Sequence, residues 1–208
     1  MKKIIIVGAG GFGKHVAWIA KRCGREVRGF LDDTPEKQNT FVLDIPVIDK
    51  IVNCNKYKSD EFIIALGNSR DRKKIIDKYF TNGEYNFTSI VDPSAIIGEN
   101  VEISKGCVIC AGSILTVDVK VGEHTIINLN STIAHDVSIG DFVTVAPNAS
   151  ISGNVQIFSF VEIGTNSSIR EKCIIGKSSI IGMGAVITKN INMNEVMVGN
   201  PAYLLKMV

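Results

Sequence analysis

His135 and Asp136, with Gly153 eighteen residues further on, are the residues whose types and spacing best suit chemistry. An imidazole can take a proton from an amine or hydroxyl near neutral pH. A neighbouring carboxylate can fix its tautomer and stabilise the imidazolium. A glycine N–H can stabilise the oxyanion that develops in acyl transfer. The three residues therefore suit acyl transfer if the fold brings them together; the alternative is a histidine that is merely a polar surface residue.

The segment Gly8-Ala9-Gly10-Gly11-Phe12-Gly13 is a second candidate site, because it matches the GxGxxG pattern between an apolar run and a helical pattern over residues 14–22. Glycines allow close backbone approach, and a helix N-terminus offers N–H groups to a phosphate. Asp32 or Asp33, at the end of the next predicted strand, could bond a ribose or a base. The pattern indicates a nucleotide diphosphate, and the alternative is a tight turn without a ligand.

These elements predict a small α/β domain at the N-terminus. After the buried strand Ile4–Val7, residues 26–31 and 61–66 predict further strands, and residues 70–80 predict a second helix. Strands that alternate with helices indicate a parallel sheet with right-handed crossovers. About three or four strands make a half-sized doubly wound unit. Since a dinucleotide usually spans two such halves, the domain favours a nucleotide-sugar over NAD.

From residue 91 to residue 187 an aliphatic side chain recurs at every sixth position, which predicts a different architecture. A period of six fits neither a helix nor a flat strand, but it fits a β-helix of about five coils with three short strands in each. Small or β-branched residues precede most of these positions by two, and Cys107 and Cys173 fall among them as predicted core residues. The aliphatic positions are Val91, Ile97, Ile103, Ile109, Leu115, Val121, Ile127, Ile133, Ile139, Val145, Ile151, Ile157, Ile163, Ile169, Ile175, Ile181 and Ile187.

Composition excludes several classes of protein. A net charge of +2 without a basic run does not favour nucleic acid. The apolar run at the N-terminus stops at Gly8, which is too short for a signal peptide, and no stretch suits a membrane span. Five cysteines, an odd number, favour a reducing cytoplasm over a disulfide framework. His124 is expected on a polar surface, and His15 in helix packing or in solvent.

Together with Gly67-Asn68 and the closing Val198-Gly199-Asn200-Pro201-Ala202, these motifs resemble the bacterial sugar O-/N-acyltransferases that carry a left-handed parallel β-helix. The resemblance covers essentially the whole chain. It implies a Rossmann-like nucleotide-sugar domain over residues 1–88 and an acetyltransferase β-helix with a C-terminal cap over residues 89–208. Within that group the chain is most similar to the UDP-4-amino-sugar N-acetyltransferases of bacterial glycan biosynthesis. Sialic acid O-acetyltransferases have the same layout and remain an alternative.

The resemblance also implies roles for individual residues. His135 corresponds to the family's catalytic base and Asp136 to its acidic partner. Asn128 corresponds to an asparagine near the acetyl-CoA thioester, and the Gly153 amide faces the thioester carbonyl. Acetyl-CoA would lie between adjacent prisms of a homotrimer. The implied acetyl-CoA-binding residues are Gly153, Gly164, Thr165, Gly182 and Met183, and the nucleotide-sugar-binding residues are Gly8, Gly10, Gly11, Phe12, Gly13, Asp32, Asp33, Gly67 and Asn68.

Two departures from the family's pattern bear on sugar specificity. Phe12 stands where the loop often has histidine, and Thr144 stands where close relatives can have a second histidine. Other classes fit the residues less well. A NAD-dependent oxidoreductase lacks a second half-sheet, and a metal-dependent hydratase of this fold needs three histidines, whereas His124 and His135 are eleven residues apart. No metal is implied, and a non-catalytic nucleotide-binding scaffold remains a further alternative.

Overall fold

The computed structural model describes residues 2–81 and 84–208 of the chain. The backbone divides into two compact units, and the boundary falls between Ile90 and Val91. Each unit has a hydrophobic core of its own. Neither helix in the described part of the chain has the length and apolar character that a bilayer span requires.

The N-terminal unit is a six-stranded sheet flanked by two helices. The strand order is β3-β4-β2-β1-β5-β6, and all neighbours are parallel except the β3–β4 hairpin. The sequence predicted only three or four strands, because β3 and β6 contain two residues each and leave no periodic signal. The elements are β1 (Ile4–Val7), α1 (Gly11–Arg22), β2 (Val27–Leu31), β3 (Phe41–Val42), β4 (Ile45–Asp49), β5 (Glu61–Ile64), α2 (Ser69–Tyr79) and β6 (Asn86–Phe87), with 3₁₀ segments at Pro35–Lys37 and Ile51–Tyr57.

Burial explains why these segments adopt these structures. All four residues of β1 are fully buried, as expected for the central strand of a sheet covered on both faces. In α1, Val16, Ile19 and Ala20 are buried at helical spacing, while Lys21 and Arg22 lie in the last turn and favour its negative end. The apolar spacing therefore fixes which side of α1 covers the sheet.

The second unit is a left-handed parallel β-helix. Each short strand pairs in parallel with the strand eighteen residues further on, as Ile127 does with Val145. Every predicted aliphatic position is the second residue of a two-residue strand. These strands are Ile90–Val91 (β7), Ile96–Ile97 (β8), Glu102–Ile103 (β9), Val108–Ile109 (β10), Ile114–Leu115 (β11), Lys120–Val121 (β12), Ile126–Ile127 (β13), Thr132–Ile133 (β14), Ser138–Ile139 (β15), Thr144–Val145 (β16), Ser150–Ile151 (β17), Gln156–Ile157 (β18), Glu162–Ile163 (β19), Ser168–Ile169 (β20), Ile174–Ile175 (β21), Ile180–Ile181 (β22) and Val186–Ile187 (β23).

The aliphatic positions from Ile109 to Ile187 form the continuous core of the β-helix, together with Cys107 and Cys173. The prediction that these two cysteines fill the core is therefore confirmed. Ile97 is 38% exposed because it lies in the first coil, which has no coil before it in the stack. Burial of one aliphatic side chain per strand is the main stabilising term of such a solenoid.

The corners between the sheets depend on residues in the left-handed backbone region. Non-glycine residues adopt a positive φ rarely, and asparagine and aspartate do so most readily. Eighteen-residue spacing aligns these positions into three columns. We call them the histidine corner, which is named for His135 beside Asp136 (Asn100, Asp118, Asp136, Asn154 and Lys172), the asparagine corner (Gly112, Asn130, Asn148, Asn166 and Gly184) and the aromatic corner (Gly106, His124, Phe142, Phe160 and Ser178).

The C-terminal end of the β-helix is closed by two further strands, β24 (Glu195–Val198) and β25 (Tyr203–Met207). β24 adds in parallel to β22, and β25 turns back antiparallel to β24. Met197 is buried in the last core layer, with Ala202 packed against it. Leu204 and Leu205 lie on β25 and are half exposed.

Candidate active site

His135 and Asp136 form a hydrogen-bonded pair at the histidine corner, in the turn that follows β14. The imidazole Nδ1 lies 2.7 Å from Asp136 Oδ2, and both side chains are more than half exposed. A carboxylate on Nδ1 favours the neutral tautomer with its proton on that nitrogen, in which Nε2 keeps its lone pair and can act as a base. The pair therefore presents a base to solvent with its tautomer fixed from behind.

Gly153 lies in the same column, one coil further along. The register is set by the Asn154 N–H, which donates to the His135 carbonyl at 2.9 Å. A methyl group on Gly153 would lie 2.5 Å from both Cε1 and Nε2 of His135, so the imidazole rests directly against this glycine. Within residues 2–81 and 84–208 the Gly153 N–H has no hydrogen-bond acceptor. A proton acceptor and an available N–H donor thus lie side by side.

Replacing Gly153 with alanine is expected to lower the kcat of the acyl transfer predicted from the sequence by about 10²-fold, because the added methyl displaces the imidazole from its position. The methyl group displaces only the exposed imidazole of His135, so the melting temperature should stay close to that of the wild type. Steady-state kinetics and thermal unfolding of the same preparation check this. An unchanged kcat would show that the contact between Gly153 and His135 does not position the base.

Asn128 does not share the histidine corner with His135. The two residues lie at opposite ends of β14, because seven residues of spacing carry the chain across one face of the prism. Asn128 aligns instead, at eighteen-residue intervals, with Gly164 and Gly182. Its Oδ1 accepts a hydrogen bond from the Leu129 N–H at 3.0 Å.

The remaining acetyl-CoA candidates occupy two successive coils beside the asparagine corner. A methyl group on Gly164 would lie 2.6 Å from the Met183 nitrogen, so the backbones of these coils approach too closely for any side chain there. The Gly184 N–H donates to the Thr165 carbonyl at 2.8 Å. Met183 is 81% exposed, so its side chain is accessible to a ligand.

The N-terminal unit contains a cavity of about 460 Å³ at the carboxyl ends of β1, β2 and β5. This is the edge at which parallel α/β sheets bind ligands. Most of the residues predicted to bind a nucleotide-sugar line it, whereas Gly13 and Asn68 do not. The lining residues are Gly8, Gly10, Gly11, Phe12, Asp32, Asp33, Thr34, Lys37, Ile51, Ala65, Leu66, Gly67 and Ile75.

The glycines at this cavity differ in whether the fold requires a residue without a side chain. Gly8 has a φ of +103°, and a methyl group on Gly13 would lie 2.0 Å from the Gly8 carbonyl oxygen, so the backbone itself requires both. In contrast, a methyl group on Gly10, Gly11 or Gly67 would meet no atom within 4 Å. The fold does not require these three as glycines, and their lack of side chains leaves room at the cavity wall.

The two helix N-termini next to this cavity also differ. At α2 the Asn68 side chain accepts from the Asp71 N–H at 3.0 Å, and Asp71 adds a carboxylate to the first turn. At α1 the N-cap residue is Gly10, no side chain caps the helix, and the first turn has no acidic residue. The N–H groups of α1 therefore remain available to an anion in the cavity.

Asp32 is tied to the glycine loop by its carboxylate. Oδ2 accepts from the Ala9 N–H at 2.7 Å, and Oδ1 accepts from the Thr34 N–H at 2.9 Å. Burial alone would raise the pKa of this carboxyl, but hydrogen bonds from Thr34, Ala9 and Lys37 outweigh it and hold the pKa below its usual range. Asp32 is thus ionised at neutral pH at the edge of the cavity.

Asp33, the neighbour of Asp32, is held by a different part of the unit. It accepts from the Ile51 N–H at 2.8 Å and from the Tyr79 hydroxyl at 3.0 Å. These contacts join the 3₁₀ segment at Ile51–Tyr57 and α2 to the end of β2. Both acidic residues therefore shape one side of the cavity as well as lining it.

Replacing Asp32 with asparagine is expected to lower the free energy of unfolding by about 1–3 kcal/mol at pH 7, because the charged acceptor is lost. The folded pKa of Asp32 lies below its unfolded value of about 3.9. Its contribution is therefore fully present above that value and is lost as the pH falls through the folded pKa. Urea unfolding from pH 7 to pH 3 should show the two proteins converging at the acid end, and a constant difference would contradict this.

Several residues that line the cavity were not predicted from the sequence, among them Lys37, Thr34, Ile51 and Ile75. Lys37 ends the 3₁₀ segment at Pro35–Lys37, and its Nζ lies 3.2 Å from Asp32 Oδ2. The only signal for it was its position five residues after Asp32. The loop around it has no periodic pattern from which its side-chain direction could be predicted.

His124 corrects one prediction made from the sequence. We expected it on a polar surface, but it is 3% exposed and stacks on Phe142 with ring centroids 5.2 Å apart. Phe142 stacks in turn on Phe160 at 5.3 Å. Aromatic packing along the aromatic corner thus outweighs the polarity of the imidazole. His15 packs edge-on against Phe12, with centroids 5.8 Å apart.

The described residues contain no group of three or more histidine, cysteine, aspartate or glutamate side chains that could hold a metal ion.

The structure offers two candidate regions for function. One is a nucleotide-sized cavity at the end of a parallel sheet, and the other is a histidine–aspartate pair over a glycine on a β-helix. This combination defines a hexapeptide-repeat transferase.

Comparisons with known proteins agree with this class. Residues 3–79 match the family model of the PglD N-terminal domain, and residues 154–189 match that of the bacterial transferase hexapeptide (six repeats). WeeI from Acinetobacter baumannii AYE is 32% identical over 99% of this chain and 100% of its own, with a TM-score of 0.87. The chain belongs to the bacterial acetyltransferases that join a PglD-type N-terminal domain to a left-handed β-helix.

Three further proteins are informative. The acetyltransferase domain of PglB from Neisseria gonorrhoeae FA1090, solved with acetyl coenzyme A, is 30% identical over 98% of this chain and 99% of its own, with a TM-score of 0.91. A mutant perosamine N-acetyltransferase from Caulobacter crescentus, solved with CoA and GDP-perosamine, shares the fold at 23% identity, covering 99% of this chain and 98% of its own, with a TM-score of 0.92. Uncharacterized protein L142 of Acanthamoeba polyphaga mimivirus is 33% identical over 103 residues, half of this chain, and the match covers only a fifth of that protein's length.

Proposed function

We propose that this protein is an acetyl-CoA-dependent N-acetyltransferase that acts on the 4-amino group of a nucleotide-linked amino-deoxy-sugar. The observation that carries the proposal is the His135 imidazole, held by Asp136 at 2.7 Å and resting against Gly153. The cavity at the glycine loop supports an acceptor that is bound through its nucleotide. The PglB domain solved with acetyl coenzyme A supports the donor.

The chemistry follows from the positions of these groups. The sugar amine attacks the thioester carbonyl and passes its proton to His135 Nε2, while Asp136 stabilises the imidazolium. The Gly153 N–H stabilises the oxyanion of the tetrahedral intermediate. Collapse of that intermediate breaks the C–S bond, and the thiolate of CoA takes up the proton. Amide, CoA and a neutral imidazole result, so the cycle closes without another reactant.

Asn128, Gly164, Thr165, Gly182 and Met183 are proposed to contact acetyl-CoA. They lie beside the asparagine corner of the prism, whereas His135 stands at the other end of β14. We propose that a homotrimer brings these two corners together, with one subunit providing the base and its neighbour the acetyl-CoA contacts. In the same proposal, residues 1–88 bind the nucleotide-sugar, residues 89–208 carry the transfer, and the enzyme works in the cytoplasm.

The test is a substrate panel. The protein is incubated with acetyl-CoA and UDP-, dTDP-, GDP- or CMP-linked sugars, with and without a 4-amino group, and free thiol release is followed. Release with a 4-amino sugar, giving a product stable to mild base, supports the proposal because an amide persists where an ester is cleaved. Release only with a sialic acid would replace it with O-acetylation. No release with any sugar would overturn the proposed acceptor.

A further inference from the structure

Lys37 is the only cationic side chain among the described residues that line the cavity. Its side chain is 33% exposed, and its Nζ donates to Asp32 Oδ2 at 3.2 Å. An ammonium group has three N–H donors, so the contact with Asp32 leaves donors for another acceptor. Asp32 thus holds Lys37 at the cavity wall, and the ammonium group can still donate hydrogen bonds to a ligand.

The position of this ammonium relative to the glycine loop follows from a shared contact. Asp32 Oδ2 accepts from Lys37 at 3.2 Å and from the Ala9 N–H at 2.7 Å. The Lys37 ammonium and the Ala9 nitrogen therefore lie no more than about 6 Å apart. Ala9 directly precedes Gly10, the uncapped N-cap of α1. Lys37 therefore stands next to the helix N-terminus that is available to an anion.

Charge balance gives Lys37 a specific task. The cavity is lined by the carboxylates of Asp32 and Asp33, and a diphosphate would bring further negative charge into it. The N-terminus of α1 offers only about half an elementary charge. Lysine is a common phosphate-binding residue that acts as a point charge. A diphosphate at α1 therefore needs the full positive charge that Lys37 provides.

We propose that Lys37 binds the diphosphate of the nucleotide-sugar and makes the cavity select nucleoside diphosphates over monophosphates and free nucleosides. This inference rests on the proposed function, since it assigns a ligand group within the same cavity. The competing interpretation is that Lys37 only balances the charge of Asp32. In that case its removal would weaken every nucleotide ligand equally, or would change stability alone.

The experiment measures binding by isothermal titration calorimetry for two ligand series: uridine, UMP and UDP, and guanosine, GMP and GDP. The variants are Lys37→Gln and Lys37→Arg, with Lys74→Ala as the control, because Lys74 is an exposed lysine paired with Asp71 outside the cavity. We expect Lys37→Gln to raise the Kd of the diphosphate by about tenfold or more, that of the monophosphate by less, and that of the nucleoside hardly at all. Lys37→Arg should restore most of the diphosphate affinity, and Lys74→Ala should bind like the wild type.

The outcomes separate this inference from the proposed function. If the wild type binds a diphosphate and Lys37→Gln binds it equally well, or loses affinity equally for all three ligands of a series, the role of Lys37 is overturned while the nucleotide cavity stands. If the wild type binds neither UDP nor GDP, both the nucleotide cavity and the role of Lys37 are rejected. Thermal unfolding of each variant shows whether a loss of affinity reflects a loss of folded protein.

Discussion

Replacing His135 with alanine is expected to lower kcat for acetyl transfer by about 10²–10⁴-fold, the range that a positioned general base contributes. The affinities for acetyl-CoA and for the sugar nucleotide should change little, because the imidazole acts on the transferred proton. The side chain is 57% exposed and fills no core space, so the fold should remain intact. Initial rates of thiol release and calorimetric affinities measure both quantities.

Two further variants serve as controls for this result. Asp136→Asn keeps a residue that accepts the positive φ of the histidine corner but removes the charge behind the imidazole, so a smaller loss of kcat is expected. Glu171→Ala changes an exposed residue in the same column, one coil past Gly153, and should leave the rate unchanged. A His135→Ala enzyme as active as the wild type would show that His135 is not the general base.

Replacing Gly13 with alanine is expected to destabilise the N-terminal unit by about 3 kcal/mol or more, whereas Gly11→Ala should cost less than about 0.5 kcal/mol. The two glycines lie two residues apart in the first turn of α1. The methyl group on Gly13 would lie 2.0 Å from the Gly8 carbonyl oxygen, and backbone atoms there cannot move aside without separating α1 from β1. The methyl group on Gly11 would enter open space. Urea unfolding of the two variants gives the comparison.

Nucleotide binding by the folded proteins should rank the two variants in the opposite order, with Gly11→Ala affected more than Gly13→Ala. In Gly11→Ala the methyl occupies room at the cavity wall, so the Kd for the nucleoside diphosphate should rise about tenfold or more although the protein is folded. Phe41→Ala is a suitable control, since Phe41 is 70% exposed and does not line the cavity. Equal stability of both glycine variants would show that the loop relaxes around Gly13. Unchanged affinity in Gly11→Ala would place the ligand away from Gly11.

The β-helix could be predicted almost entirely from the sequence, because one physical constraint repeats. Each coil must bury an aliphatic side chain from every strand, so the positions of Ile109, Ile127 and Val145 all follow from one period. The N-terminal sheet was predicted less completely. The β3–β4 hairpin turns at Leu43 and Asp44, both with positive φ, and such a turn lacks the glycine that usually marks it.

Side chains at the corners were harder to predict than the core. His124 was misplaced because polarity favours solvent, whereas its environment is set by Phe142, one coil away. The eighteen-residue spacing of His124, Phe142 and Phe160 was the signal that could have identified this stack. Lys37 lay beyond prediction for a different reason, since its direction depends on Asp32 and on a 3₁₀ segment with no repeat.

The coil that builds all three corners also limits how the β-helix can diverge. Two groups on one corner are separated by a whole number of coils, and each coil adds about 4.8 Å along the axis. The axial distance between such groups therefore changes only in discrete steps, by gain or loss of eighteen residues. Finer adjustment to a new acceptor or acyl group must come from side-chain exchange, or from the N-terminal unit, where loops such as that of Lys37 are free of the period.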